Sequence, residues 1–165
     1  MYPEFLTQAA PDILAQLTGK GVFLTAGRDP ANAMTIGWGS LGMYWGKPVF
    51  IAPVRLSRYS YGLIEASGCF SVDVPLHDMA KELAYCGSRS GRDGDKLAAL
   101  GLTAAPARSI PGSILTDCEL HLECIVRYSQ TMDPGLLGDP AAGKWYADRD
   151  VHRMFYGEIV DAYRG

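Results

Sequence analysis

The hydrophobic and polar positions of this chain alternate mostly with the period of two that is typical of β-strands. The clearest alternation covers residues 117–129, where every second position from Cys118 to Tyr128 is apolar and the polar positions include His121 and Glu123. Further strands are predicted over residues 21–26, 33–38, 49–54, 69–74 and 151–163. Pro53 has no backbone N–H to donate, so we expect its strand to lie at a sheet edge or to contain a bulge.

Helical spacing is confined to short segments. A helix over residues 11–18 would start at Pro11 or Asp12, and a second helix is predicted from the N-cap residue Ser57 to about Ala66. The apolar spacing of residues 76–84 predicts an amphipathic helix, and residues 95–100 add a helical turn. Strands predominate and do not alternate regularly with helices. The pattern therefore predicts a mainly β fold, an antiparallel barrel or sandwich with short helical inserts.

The composition is that of an ordinary globular protein. The chain has 165 residues, of which 48% are hydrophobic and 20% charged, which predicts one domain with a sizeable core rather than disorder. A formal net charge of −3 gives no overall attraction to nucleic acid or to an anionic membrane, so any anion site must be local. The first residues lack the features of a signal peptide and no apolar run could span a bilayer. We therefore expect a cytoplasmic protein.

The four cysteines are predicted to be reduced thiols without a bound metal. Cys69, Cys86, Cys118 and Cys124 show no Cys-x-x-Cys spacing and have no histidine cluster beside them. Cys118 and Cys124 share one face of their strand and should point into the core. Cys86 precedes a polar glycine loop, so it is either a structural residue, which we favour, or a reactive thiol.

Two segments have the composition of an anion site. Residues 55–60 (Arg-Leu-Ser-Arg-Tyr-Ser) place two guanidinium groups and two hydroxyls at a predicted helix start, with no carboxylate before Glu65. Residues 88–96 carry Arg89, Arg92 and Lys96 among serines and glycines. The first segment is either a phosphate cradle or a solvated corner, and the second either an anion site or a flexible surface loop.

Other catalytic motifs are absent or do not fit. Residues 37–42 match G-x-G-x-x-G, but a turn-like segment follows them and residues 55–64 lack the acid that would bind a ribose, so we reject a Rossmann site. No G-x-S-x-G motif of a serine hydrolase occurs. His77 is predicted to be solvated and His121 to lie on the polar face of its strand. His152, taken alone, is more typical of a structural residue than of a catalytic one.

Four segments in order resemble the flavin reductase-like, FMN-binding split-barrel family, particularly its flavoredoxin-type branch. They are residues 32–40 (Asn-Ala-Met-Thr-Ile-Gly-Trp-Gly-Ser), 55–61, 84–93 (Ala-Tyr-Cys-Gly-Ser-Arg-Ser-Gly-Arg-Asp) and 152–159 (His-Arg-Met-Phe-Tyr-Gly-Glu-Ile). The resemblance covers residues 20–160 approximately. It implies an antiparallel, Greek-key split β-barrel that binds FMN and acts as an oxidoreductase.

The resemblance also implies roles for individual residues. The isoalloxazine ring would be lined by Asn32, Ala33, Met34, Thr35, Trp38, Gly39 and Ser40. The FMN phosphate would be held by Arg55, Ser57, Arg58 and Ser60, and Tyr59 would also bind the cofactor. The ribityl chain, phosphate or pyrimidine edge would be approached by Ser90, Arg92 and Lys96, and Lys96 near the flavin N1 would raise the reduction potential. His152 would be the catalytic residue, at the exposed ring face.

The same resemblance implies partners. Electrons would come from NAD(P)H or a redox protein, and the protein would be a homodimer with the cofactor near the subunit interface. A non-catalytic FMN-binding electron carrier and a flavin-free split-barrel dimer are the alternatives. Residues 133–143, rich in Pro and Gly, look individual to this chain and could reshape substrate access.

Overall fold

Most of the chain belongs to one seven-stranded antiparallel sheet in the computed structural model, which describes residues 2–165 and all their side chains except those of residues 2, 3 and 141. The strand order is β2-β1-β5-β8-β9-β4-β3. The strands of this sheet are β1 Val22–Gly27, β2 Ala31–Ile36, β3 Ser40–Tyr44, β4 Lys47–Arg55, β5 Cys69–Val74, β8 Leu120–Thr131 and β9 His152–Arg164. Within residues 2–165, the edge strands β2 and β3 do not pair with each other, so the sheet forms an open barrel.

Short elements surround this sheet. The helices are α1 Tyr2–Thr18, α2 Tyr59–Ser67, α3 Ala80–Ser88 and α4 Lys96–Leu100, and the strands β6 Ala104–Pro106 and β7 Ser113–Leu115 form a separate pair. Two 3-10 helices, Pro134–Leu136 and Pro140–Tyr146, lie between β8 and β9. None of the described helices is both long and apolar enough to cross a membrane.

Two clusters of buried side chains stabilise the sheet from its opposite faces. The larger cluster includes Leu24, Phe50 and Phe70 and is closed by α1 and α2. The smaller cluster places Phe23 of β1 against Leu83 of α3 and other side chains of α3 and α4. Because both faces of β1 are buried, its sequence is mostly apolar instead of alternating, and its one hydroxyl, on Thr25, donates to Asp73.

Burial of both faces also means that the polar positions of β8 are not solvated. His121 and Glu123 were predicted on the polar face of their strand, and in the structure both side chains are fully buried. His121 Nδ1 lies 2.7 Å from Asp73 Oδ1, and Glu123 accepts hydrogen bonds from Ser109 N at 2.6 Å and from the Tyr163 hydroxyl at 2.6 Å. Their hydrogen bonds offset the cost of burying these polar groups.

Several predicted boundaries also differ. The first helix starts at Tyr2 instead of Pro11, which lies inside it, because apolar residues from Leu6 to Leu17 face the core at helical spacing. The second starts at Tyr59 with Arg58 as its N-cap, so the prediction of Ser57 as N-cap is wrong. Strand β4 is not an edge strand. However, β3 begins opposite Ile51, so Pro53 has a strand neighbour on one side only.

Two other sequence predictions are confirmed. A Rossmann site needs a helix that starts at the G-x-G-x-x-G segment. Residues 40–44, which overlap the end of this segment, form strand β3 instead, so the rejection of a Rossmann site is confirmed. All four cysteines are unpaired and buried. Cys86 is completely inaccessible, and burial raises the pKa of its thiol, which agrees with the structural interpretation.

In the described part of the chain, no group of three or more His, Cys, Asp or Glu side chains could hold a metal ion.

Candidate functional site

A polar cavity of about 420 Å³ lies where the first turn of α2 meets the loop after α3. We call it the polar cavity. Its wall includes Asn32 and Met34 of β2, Arg58 before α2, and Arg89 and Arg92 of the loop. Asn32 and Met34 reach it because alternate side chains of β2 face the same side of the strand. Segments 55–60 and 88–96, which are far apart in sequence, therefore form one site.

Backbone carbonyls hold two of the arginines of this cavity in place, and a third is free. Arg58 NH1 donates to Gly87 O at 3.0 Å, and Arg92 NH1 donates to Ser57 O at 2.8 Å. The Arg92 guanidinium also lies 5.5 Å from the centroid of the Tyr59 ring. Arg89 makes no hydrogen bond through its guanidinium within residues 2–165 and only approaches the Tyr85 ring, at 5.8 Å. Its donors are therefore free for a ligand.

Lys96 is a buried cation in the same wall. Its ammonium donates to Cys86 O and Arg89 O, each at 3.1 Å, and burial lowers its pKa, with a further contribution from Arg58. Lys96 therefore connects α3 to the loop that follows it. It lines the polar cavity and not the aromatic cavity described below.

Gly91 allows the loop to pack closely against β2 and α2. A Cβ atom at this position would collide with the Asn32 side chain and with Cδ1 of the Tyr59 ring, so only glycine fits without rearrangement. Asn32 in turn donates from Nδ2 to the Ser60 hydroxyl at 2.9 Å, and both side chains are buried. The wall between the two segments is therefore tightly packed.

Arg55 and Ser57 line the polar cavity, but carboxylates and carbonyls of another segment already occupy their donors. Arg55 donates to Asp150 O at 2.6 Å and to Trp145 O at 2.7 Å, and it forms an ion pair with Asp148 at 3.4 Å. The Ser57 hydroxyl donates to Asp150 Oδ2 at 2.6 Å. These contacts attach residues 145–150 to the corner that precedes α2.

A second cavity of about 200 Å³, which we call the aromatic cavity, continues from the polar one. Met34, Arg55 and Arg58 line both cavities, so the two form one cleft. The Trp38 and Trp145 rings are in edge contact at its wall, with centroids 5.3 Å apart.

His152 is buried at the aromatic end beside Trp38, with ring centroids 5.2 Å apart. Its Nδ1 lies 2.9 Å from the Tyr146 hydroxyl, which leaves Nε2 as the nitrogen available to a ligand. Burial lowers the pKa of His152 from 6.5 to about 4, and the nearby positive charge of Arg55 contributes in the same direction. The imidazole is therefore neutral at neutral pH.

The structure brings together most of the residues that were predicted for the site. The polar cavity is lined by ten of them: Asn32, Met34, Arg55, Ser57, Arg58, Tyr59, Ser60, Ser90, Arg92 and Lys96. The aromatic cavity contains Thr35, Trp38 and His152. Ala33 lies outside both cavities because it points into the smaller hydrophobic cluster, and Gly39 and Ser40 line a different, apolar cavity.

Sequence reasoning missed other residues of this cleft. Arg89 was part of the segment singled out but was not assigned a role. Trp145, Asp148 and Asp150 carried no local motif, and only the long-range contact of their segment with Arg55 places them here. The abundance of Pro and Gly in the preceding residues was the one signal that this region is unusual.

Comparisons with known proteins agree with this architecture. The flavin reductase like domain family matches residues 15–165. An uncharacterized protein from Archaeoglobus fulgidus is 25% identical over 143 residues, which are 86% of this chain and 70% of the relative. Among solved structures, flavoredoxin from Methanosarcina acetivorans is 28% identical with a TM-score of 0.68, over 88% of this chain and 68% of that one. Flavoredoxin of Desulfovibrio vulgaris (Miyazaki F) is 20% identical with a TM-score of 0.70, over 88% of this chain and 69% of that one.

The structural matches share the open antiparallel sheet described above. The family match covers nearly the whole chain and includes every segment that forms the cleft. The chain therefore belongs to the flavin reductase like domain family and has its split-barrel fold.

Proposed function

We propose that the protein binds FMN in this cleft and works as an oxidoreductase of the flavin reductase or flavoredoxin type. The observation that carries the proposal is the division of one continuous cleft into a cationic end and an aromatic end. A phosphate ester attached to a flat, mostly apolar ring system has this same division. The resemblance to flavoredoxins supports the assignment.

The cationic end fits a phosphate dianion. Arg58 uses one nitrogen on Gly87 O, and Arg89 has its donors free within the described residues, so both can supply charge-assisted hydrogen bonds. Arg92 adds a third guanidinium. Helix α2 starts here, and its first backbone N–H groups favour an anion. Arg55 and Ser57 would contribute less than the resemblance implies, because Asp148 and Asp150 already bind them.

The aromatic end fits the ring system. Trp38 and Pro53 provide apolar surface, and His152 provides a neutral imidazole that is held through its Nδ1. Bound FMN would supply the transfer of one or two electrons. The chain would position the ring, exclude water from it with the two tryptophans, and hold a proton at His152 Nε2 for a substrate.

Absorption spectroscopy tests the proposal directly. The purified protein, or the protein mixed with FMN and desalted, should retain the visible absorption of a flavin. The double variant Arg58→Ala, Ser60→Ala should bind FMN about 100-fold more weakly, because two polar contacts worth about 3 kcal/mol in total are lost. Arg28→Ala, an exposed residue outside the cleft, is the control. Equal FMN affinity in the double variant and the control would refute the phosphate assignment.

Anaerobic mixing distinguishes a reductase from an electron carrier. Rapid bleaching of the bound flavin by NADH or NADPH would support a reductase. Bleaching by dithionite but by neither nucleotide would support a carrier that receives electrons from a redox protein. Either result is compatible with the cleft described, because the cleft binds the flavin and the donor determines the reaction.

We also propose a homodimer, supported by an exposed aromatic patch. Tyr44 and Trp45 of the β3–β4 hairpin contact Tyr156, and Trp45 also approaches Tyr128, with ring centroids 5.4 to 6.4 Å apart. Trp45 is 61% exposed, which is costly for a monomer in water. Sedimentation equilibrium should give a dimer for the native chain and a monomer for Trp45→Glu. A native monomer would contradict this proposal.

A further inference from the structure

A third cavity lies next to the aromatic cavity, and we call it the apolar cavity. Its volume of about 490 Å³ is within the range of about 300–1,000 Å³ that is typical of small-molecule pockets. Leu14 and Leu17 of α1, Ile51 of β4, and the two methionines Met132 and Met154 line it. None of the described residues that line it carries a charged side chain.

This cavity adjoins the cleft and shares part of its wall. Trp38, Gly37 and Pro53 line both it and the aromatic cavity, so a molecule bound in it would lie one side chain away from the aromatic end. The Trp38 indole is 43% exposed, which leaves part of its surface available for stacking. Because of this shared wall, the apolar cavity lies beside the candidate site and not on a remote part of the surface.

The wall chemistry selects the ligand. Four arginines and Lys96 line the polar cavity, whereas a charged ligand in the apolar cavity would lose its hydration without gaining a counter-ion. Methionine side chains are flexible and make favourable contacts with aromatic rings, and Trp38 offers a flat stacking surface. An uncharged planar ring fits these walls, while a nicotinamide dinucleotide or a free phosphate does not.

We propose that the apolar cavity binds a small, uncharged aromatic molecule that takes a hydride and a proton from the reduced flavin of the cleft, so that the molecule is reduced by two electrons and the flavin is oxidised. The redox role rests on the proposed function, whereas the binding site rests on the cavity alone. A second copy of this chain is the rival occupant. The small molecule is favoured because the cavity has the volume of a ligand pocket and shares three residues with the cleft.

Naphthol is a suitable probe because it is uncharged at neutral pH, and naphthalenesulfonate is its anionic counterpart. In methyl NMR of the full chain, naphthol should shift the methyl signals of Met132 and Met154. The signal of Met43, which is exposed on β3 outside this cavity, should stay unchanged. Calorimetry should give an affinity for the sulfonate at least about ten-fold weaker, because its charge is desolvated. Unshifted methyl signals, or equal affinity for both probes, would overturn the proposal.

Substitutions separate the outcomes. Leu14→Glu and Met154→Glu place a carboxylate in the wall from two different elements and should each weaken naphthol binding about ten-fold or more, with FMN affinity unchanged. Met43→Glu is the matched control and should change neither affinity. If both wall variants dissociate an oligomer but bind naphthol normally, the cavity belongs to a second copy and the proposal fails. If naphthol binds but FMN does not, the binding site is supported, and its redox role is refuted together with the proposed function.

Discussion

The buried imidazole of His152 predicts that the protein loses stability when the pH falls from 6.5 to about 4. His152 is 8% exposed, and its pKa is lowered from 6.5 to about 4 by burial and by the charges of Arg55 and Arg58. The unfolded chain therefore takes up a proton below pH 6.5, whereas the folded protein does so only near pH 4. The stabilising contribution is fully present above the unfolded pKa and is lost across this range.

The size of the effect follows from the two pKa values. The difference between 6.5 and about 4, at about 1.36 kcal/mol for each pKa unit, corresponds to about 3 kcal/mol. This is a large part of the total stability of a typical domain, which is about 5–15 kcal/mol. The loss should therefore be visible in ordinary urea titrations.

The assay is urea unfolding at pH 7 and pH 4 without added ligand, for the native chain and for His152→Gln. Glutamine does not titrate and retains an amide that can bond the Tyr146 hydroxyl. Between the two pH values the native chain should lose about 3 kcal/mol more than the variant. Equal losses in both proteins would refute the reasoning, because other titrating groups would then account for the whole effect.

Three further predictions concern packing. Gly91→Ala should lower FMN affinity and also lower stability by about 1–3 kcal/mol, because its Cβ would overlap Asn32. Gly138→Ala, where nothing lies within 4 Å of the added Cβ, should change neither. Thermal melting and flavin titration measure the two effects, and equal values for both variants would contradict the prediction. Asp73→Ala should cost about 3–5 kcal/mol in urea unfolding because it leaves His121 buried without its partner, and a loss below about 1 kcal/mol would contradict this. The four buried thiols should react with Ellman's reagent only at the rate of unfolding, so fast labelling of the native chain would exclude the structural interpretation of Cys86.

The fold could be predicted where local periodicity and burial agree. Residues 117–129 alternate clearly, and β8 covers nearly that range. The same alternation did not reveal that His121 and Glu123 are buried, because residues from elsewhere in the chain cover the second face of the sheet. A single strand contains no information about what packs on its polar side. It therefore could not show that these polar groups are buried and paired.

Exposed and helical elements were predicted less well for a different reason. Strand β3 is a mostly exposed edge strand of five residues, so its sequence has no buried apolar run and too few positions to establish a period of two. Helix α1 has the opposite problem, since its spacing from Leu6 to Leu17 is helical but Pro11 suggested a start. In both cases the sheet or the core, rather than the local sequence, decides the boundary.

The site shows most clearly what sequence could and could not provide. The corner at residues 55–60 was singled out because it has two arginines and no nearby carboxylate, and it does line the polar cavity. The fold brings Asp148 and Asp150 to Arg55 from more than 90 positions away, so this guanidinium is neutralised and holds the segment beside Trp38. Charge for a ligand must then come from Arg58 and from the loop after α3. Only the tertiary contact decides which arginine of a motif is structural and which is free to bind.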